Sequence, residues 1–356
     1  MSDGVTVPGR ENLPALPPVI AGANTPEIER RVENFFHSVA SIFEAWVNRR
    51  KSDHTRRAYC GDVMAFVEFR GWTWPEQSAE LLRVSILDVQ AFREDMLKRR
   101  AAPKTMNRRI SSLSSFYRYL AGAAAELRLP ITVPNPAHAQ FIARESSDPV
   151  DETRALSETR ARQLMGMPAG DSLLDLRDRA ILKFYLYTGA RIATGCKLTV
   201  SDFHQDGAAA ALRFHIKGGR SKTKGIHFSA AESIAEYIRA AGIESGPLFR
   251  PRLSQHHETL APRRMTERSM YNVLMSYLER LPGAMRETVL PDGKKGLECI
   301  YSPHSLRATT ATLLLDTSVP IESVQDLLDH KHITTTQIYD KRRPSVRDSA
   351  SHKVPI

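Results

Sequence analysis

Cysteine is scarce in this 356-residue chain, and the three present, Cys60, Cys196 and Cys299, are odd in number and widely spaced. That pattern argues against a disulfide-stapled scaffold and fits a reducing compartment. No stretch approaches the roughly 18 consecutive apolar residues that a membrane-crossing helix needs. The N-terminus has no basic segment followed by an apolar one, so no secretory signal is read there. A soluble cytoplasmic protein with no membrane partner is expected. Acidic residues are also in deficit, 40 Asp and Glu against 50 Lys and Arg, which leaves a formal charge of +10. Such an excess favours a polyanionic partner, because each phosphate neutralised by a cation releases condensed counterions. Zinc-type Cys/His spacing is missing too. His256-His257 and His330-Lys331-His332 lack the further ligands a structural site requires, so neither metal nor cofactor is expected.

What is present divides the chain. Hydrophobic residues make up 42%, enough for ordinary cores, and the length suits two domains. Residues 1–30 carry Pro8, Pro14, Pro17, Pro18 and Pro26 with little periodicity and read as a flexible arm. Residues 31–128 read as an all-helical domain of four amphipathic helices. The first stacks Phe35, Val39, Ile42, Phe43 and Trp46; the second opens near Thr55 and stacks Tyr59, Val63, Phe66 and Val67. The third opens at Ser85, with Asp88 completing a capping box, and buries Val89, Phe92, Met96 and Leu97. Thr105 opens the fourth, with the stripe Ile110, Leu113, Phe116, Tyr117 and Leu120. Trp72 and Trp74 read as plugs in an interhelix gap.

Cations gather where these helices begin: Arg56 and Arg57 on the second, Lys104, Arg108 and Arg109 on the fourth. The helix macrodipole disfavours positive charge there, and duplex phosphate is one anion that would relieve the mismatch. A Pro-rich, polar stretch over residues 129–154 reads as a linker. The domain that follows, 155–345, is mostly helical, with strands at Leu212, Phe214, Ile216 and at Ile226, Phe228, joined by a basic turn at 217–225. Residues 346–356 form a tail. The fold class is mainly α with a small β-sheet.

The chemistry concentrates late in the chain. His304 and Arg307 are three apart, hence on one helix face, followed by His330 and, nine residues on, Tyr339. Upstream stands Thr188-Gly189-Ala190-Arg191. One His-x-x-Arg alone is a weak signal; this order and spacing are hard to obtain by chance. Together they resemble the arginine, His-x-x-Arg and Leu-Gly-His…Tyr boxes of the tyrosine recombinase (phage integrase) family. Thr55-Arg56-Arg57-Ala58-Tyr59, Thr105–Ile110 and Asn135-Pro136 resemble that family's helical core-binding domain and its boundary, so the likeness spans about residues 35–345.

The resemblance implies a SAM-like core-binding domain followed by a mixed α+β catalytic domain. It also implies site-specific recombination of double-stranded DNA by a homotetramer, with accessory DNA-bending proteins as candidate partners. Arg191 and Arg307 would clamp the scissile phosphate, and Tyr339 would form a phosphotyrosyl bond, its phenol made more acidic by those cations. His304 would take the phenolic proton, and His330 would hydrogen-bond the phosphoryl group. By the family's Lys-Gly-x-Lys-x-Arg hairpin, Lys217 is the acid that protonates the leaving 5′ oxygen. Lys222, in a Ser-Lys-Thr string, is the second choice, and Lys222 and Lys224 are also read as DNA contacts.

Two positions depart from the family pattern. Thr194 stands where an acidic residue is usual, and Asp329 stands where Gly is usual. Rival readings are a catalytically silent DNA-binding regulator and a monomeric nicking-closing enzyme of the type IB topoisomerase kind. The filled polar catalytic positions disfavour the first; the separate helical domain and the tail disfavour the second.

Overall fold

Thr25 adopts an extended backbone and its hydroxyl accepts from the Ile28 amide at 3.3 Å. Pro26 follows at a position where no amide hydrogen is needed. Helix α1 (Pro26–His37) therefore begins inside the stretch read as a flexible arm. The computed structural model describes residues 25–146, 153–207, 209–215, 221–254, 257–289 and 294–340, so the rest of the arm and the tail lie outside the described residues. The chain divides into units of residues 1–147 and 148–356.

In the first unit the single helix read through Phe35 and Trp46 is two helices. The Ser38 hydroxyl bonds back to the Phe35 carbonyl at 2.9 Å, ending α1, and α2 (Val39–Asn48) restarts beyond it. Helices α3 (Asp53–Phe69), α4 (Ile86–Lys98) and α5 (Pro103–Glu126) follow. Ser85 and Asp88 form the expected capping box. Leu97 is 42% exposed rather than buried, because the inward stripe of α4 is Val89, Phe92 and Met96. Phe43, Trp46, Phe66 and Phe116 fill the centre. Trp74 meets Phe43 edge-on at 5.0 Å and Trp72 meets Phe66 at 6.1 Å, the plugging role expected of both.

The segment read as a linker is packed structure as far as Ser146. Leu129, Ile131, Ala137 and Ile142 are buried in the same core. Asn107 on α5 exchanges two hydrogen bonds with the Glu145 backbone, at 2.8 and 2.9 Å. An irregular chain can be buried this way because a side-chain amide satisfies its backbone groups.

The second unit starts with α6 (Glu158–Gly166), capped by Ser157, then α7 (Leu173–Thr188) and the short α8 (Ile192–Lys197). Helix α7 is buried nearly all round, through Ala180, Ile181, Phe184 and Tyr185, and forms the axis of this core. An antiparallel sheet follows in the order β1 (Phe203–Asp206), β2 (Ala209–His215), β3 (Ser221–Gly225). The second strand read at Ile226 and Phe228 is displaced. Its place is taken by the Ser-Lys-Thr-Lys segment itself, and Phe228 opens α9 (Phe228–Ala240) at 68% exposure. Two further hairpins that the sequence reading missed, β4 (Arg252–Ser254) with β5 (His257–Leu260) and β6 (Met285–Val289) with β7 (Lys295–Cys299), flank α10 (Glu267–Leu278). Their strands are short and partly polar, which hides them from a periodicity test.

Three helices complete the chain: α11 (Pro303–Asp316), α12 (Ile321–Leu328) and α13 (Ile333–Gln337). Helix α11 is clamped to α7 by the Thr310 hydroxyl, which donates to the Leu186 carbonyl at 2.8 Å. Helix α7 stops at Gly189 in the left-handed region, φ 58°. A Cβ built there would lie 2.4 Å from Leu328 Cδ2 at the end of α12. Gly189→Ala is therefore expected to destabilise the protein by about 1–3 kcal/mol, from left-handed strain plus displacement of Leu328. Urea unfolding of both proteins measures this, and an unchanged midpoint would show that the contact is slack.

Candidate active site

Arg307 sits one turn into α11, where Ser302 and Pro303 start the helix, and it is only 3% exposed. Among the described residues no carboxylate closes an ion pair with it. One terminal nitrogen donates to the Gly189 carbonyl at 2.7 Å, and the other donates to the Leu328 carbonyl. Both acceptors lie at helix C-termini, which carry partial negative charge. Burial pushes this guanidinium down to about 10, and the charge of Arg191 adds to the effect. Arg191 is the exposed N-cap of α8, just past the Gly189 turn, and lines a small cleft with Thr194, Lys224, Arg307 and Asp329. Two like charges held together, one of them buried, make a site whose missing component is an anion.

The remaining predicted groups gather round this pair. His330 is 8% exposed, its Nδ1 2.9 Å from the Thr336 hydroxyl, and its ring lies nearly parallel to that of Tyr339, centroids 6.1 Å apart. Burial pushes His330 down to about 4, with Arg307, Arg191 and His304 acting in the same direction. It is neutral at pH 7. Tyr339 packs beside Ala311, Leu315, Val324 and Leu328. The expected acid shift of its phenol is reversed: burial raises its pKa, and the attraction of Arg307 and Arg191 offsets this only in part. Without an anion in the cleft the Tyr339 side chain is a protonated phenol at neutral pH. His304 is exposed on the first turn of α11, one turn before Arg307.

The lysines divide. Lys217 lies outside the described residues. Lys222 on β3 pairs with Asp326. Lys224, read as a DNA contact, is instead buried: it donates to the carbonyls of Asp326 at 3.0 Å and Leu327 at 2.7 Å and pairs with Asp329 at 2.8 Å. Period-2 alternation sends Leu212 inward on β2, and its register partner is Lys224, which explains the burial. Asp329 takes up the left-handed cap usual for glycine, φ 52° and ψ 46°, with its carboxylate engaged by that lysine. Another cluster that sequence reasoning missed holds the sheet to the turn before it. Asp202 is buried, but hydrogen bonds from Thr199, Arg213 and His215 outweigh its desolvation and hold it down at about 2. No motif marks it.

In the first unit, Arg57 and Lys104 are exposed at the starts of α3 and α5. Arg56 pairs with Asp53 in the first turn of α3, so part of the expected charge mismatch is answered within the helix. Arg108 reaches the buried Asp62 at 2.7 Å, and Ser112 donates to the same carboxylate at 2.8 Å. Arg108 thus has a structural role that the reading of it as a DNA contact did not include. Arg109 is half-buried. Among the described residues no three His, Cys, Asp or Glu side chains come together as metal ligands would, and no helix is long and apolar enough to cross a membrane.

Comparison with known proteins agrees with this layout. Residues 44–123 match the phage integrase N-terminal SAM-like domain, and residues 154–345 match the phage integrase family. A SAM-like helical module followed by an integrase catalytic module is therefore the class of protein that fold and site define. The chain belongs to the phage integrase family. It is 26% identical over 294 residues to tyrosine recombinase XerC of Anoxybacillus flavithermus, covering 82% of this chain and 88% of that protein. Its fold is similar to that of XerH site-specific recombinase bound to palindromic difH substrate in a post-cleavage complex. There the TM-score is 0.64 at 15% identity, with 87% of this chain and 93% of that one covered. It is also similar in fold to a lambda integrase tetramer bound to a Holliday junction, with TM-score 0.57 at 17% identity and coverage of 90% and 79%.

Neutral, buried His330 has a measurable consequence. Its folded pKa lies below the ordinary 6.5, so the stability its neutral form contributes is complete above pH 6.5 and is lost as pH falls toward about 4. NMR titration of the DNA-free protein is expected to show this ring titrating near 4. A midpoint near 6.5 would mean that it is solvated.

Proposed function

We propose that this protein is a site-specific DNA recombinase that cuts and rejoins strands through a 3′-phosphotyrosyl bond to Tyr339, without ATP or metal. The observation that carries this reading is the buried, carboxylate-free Arg307, set beside Arg191 and electrostatically coupled to Tyr339. A phosphodiester is stable because its anionic oxygens repel a nucleophile. Two guanidiniums clamping its non-bridging oxygens remove that protection and stabilise the charge gained in the in-line transition state. The phosphate in turn supplies the anion that the arginine pair lacks.

The step balances without a cofactor. Tyr339 Oη forms a bond to phosphorus, the bond from phosphorus to the 5′ oxygen breaks, and the phenolic proton passes to His304. The leaving oxygen takes a proton from Lys217. A 5′ hydroxyl of another strand reverses the sequence, so the energy of the phosphodiester is conserved. His330, neutral and steadied by Thr336, donates a hydrogen bond to a non-bridging oxygen. Arg57 and Lys104, with Arg56 and Arg109, are assigned to phosphate contacts along the duplex, which makes affinity fall steeply with salt. The lambda integrase tetramer on a Holliday junction supports an assembly of four protomers on two duplexes.

Suicide duplexes built from the terminal sequences of the genetic element that encodes the protein test the nucleophile. Wild type is expected to leave a denaturant-resistant protein–DNA adduct, and Tyr339→Phe is expected to bind equally well and leave none. Binding by wild type without an adduct on a genuine site would overturn the reading in favour of a regulator. A second substrate tests the acid. Lys217→Ala is expected to slow cleavage by about 100-fold or more, the usual scale of general acid catalysis, and a 5′-phosphorothiolate, whose thiolate leaves without a proton, is expected to restore the rate. Rescue of Lys222→Ala alone would move the role to Lys222.

A further inference from the structure

The cleft has one cation that the proposed chemistry does not use. Lys224 is buried on β3, its ammonium 5.4 Å from the centre of the Phe214 ring, and its three acceptors are the Asp326 and Leu327 carbonyls and the Asp329 carboxylate. An ammonium has three hydrogens, so all are committed and none is left for a substrate oxygen. Those acceptors form the last turn of α12 and its cap. Arg307 takes the next carbonyl, that of Leu328. Carbonyls at a helix C-terminus have no partner within the helix, and here two cations from two different elements close them. The residue after the cap is His330, and the short segment beyond it ends in Tyr339.

Asp329 gives this arrangement its particular form. A glycine would accept the left-handed backbone at no steric cost but would offer Lys224 no carboxylate. An aspartate bears modest strain and gains an ion pair with a buried lysine. The neighbouring Lys222–Asp326 pair ties the same strand to the same turn from a more exposed side.

We propose that Lys224 and Asp329 form a clasp that positions the His330–Tyr339 segment against the arginine pair, making both of them positioning residues. The inference rests on the proposed function for its catalytic consequence, while the placement of His330 can be tested without DNA. By holding the end of α12 to β3, the clasp also links that strand to the segment that carries the nucleophile. Small errors in such placement are costly, since a displacement near 1 Å can slow a reaction by about 100-fold.

The test must separate position from charge. His330 is faced by Arg307 of α11, by Arg191, His304 and Asp329, by the Thr336 hydroxyl of α13 and by the Tyr339 ring. Removing Lys224 alone would leave the Asp329 charge uncompensated and raise the imidazole pKa without any movement. The paired variant Lys224→Met/Asp329→Asn removes the clasp and leaves net charge unchanged. Loss of the Asp329 carboxylate by itself would lower the His330 pKa, whereas loosening of the segment hydrates the ring and raises it.

NMR titration of full-length wild type, the paired variant and Lys224→Arg, all free of DNA, is the first measurement. The paired variant is expected to move His330 from about 4 toward 6.5, with Lys224→Arg staying close to wild type. Single-turnover adduct formation on the suicide duplex is then expected to be about 10- to 100-fold slower for the paired variant, with affinity for the duplex within about twofold and most of the rate recovered by Lys224→Arg. A His330 midpoint that stays put or falls in the folded paired variant overturns the proposal. So does a loss of rate that merely follows a loss of fold and of DNA affinity together. Absence of adduct in wild type would refute the functional reading, while the His330 titration would still decide the clasp.

Discussion

A buried guanidinium without a carboxylate governs the architecture of the catalytic unit. Arg307 is held by the carbonyl of the Gly189 cap and by that of Leu328, so one side chain joins the ends of α7 and α12 to the helix that carries it. An Arg–carboxylate pair in the same place would be neutral and complete. Helix-end carbonyls orient the cation without neutralising it, and the charge remains available to a substrate. The close approach also explains the Gly189 turn, because any Cβ there would meet Leu328.

The surrounding groups follow from that constraint. Positive charge and burial together keep His330 neutral, which suits a hydrogen-bond donor better than an additional cation. The same burial keeps the Tyr339 phenol protonated against the pull of both arginines. On the proposed function, a phenol held in this way stays unreactive until an anion occupies the cleft. Lys222 and Lys224 on β3 bond to the end of α12 as well, so that turn is held by β3 and by Arg307 of α11.

Much of this was legible in the chain. The Arg191, His304, Arg307, His330 and Tyr339 set stood out by order and spacing, and the structure brings its members together around one cleft. Helices with strong apolar stripes, α3 and α5 above all, were readable to within a few residues. The hairpins β4–β5 and β6–β7 were not, because short strands with mixed exposure leave no alternation to detect. The break at Ser38 was missed for a related reason: a hydroxyl that turns back on its own backbone does not disturb the hydrophobic period.

Residue types, their order and their local periodicity were determined by the sequence itself, and these suffice to place the chain in its family. Partners in space were decided only by the tertiary structure. Lys224 and Lys222 are chemically alike and two positions apart on one face of β3, yet Lys224 is buried against the end of α12 while Lys222, next to the strand's start, is left half-exposed. Arg108 and Arg109 are adjacent, yet only Arg108 meets the buried Asp62. The sign of the Tyr339 shift likewise depends on how far desolvation exceeds two nearby charges. Burial and distance are properties of the packed chain, and no local pattern of residues encodes them.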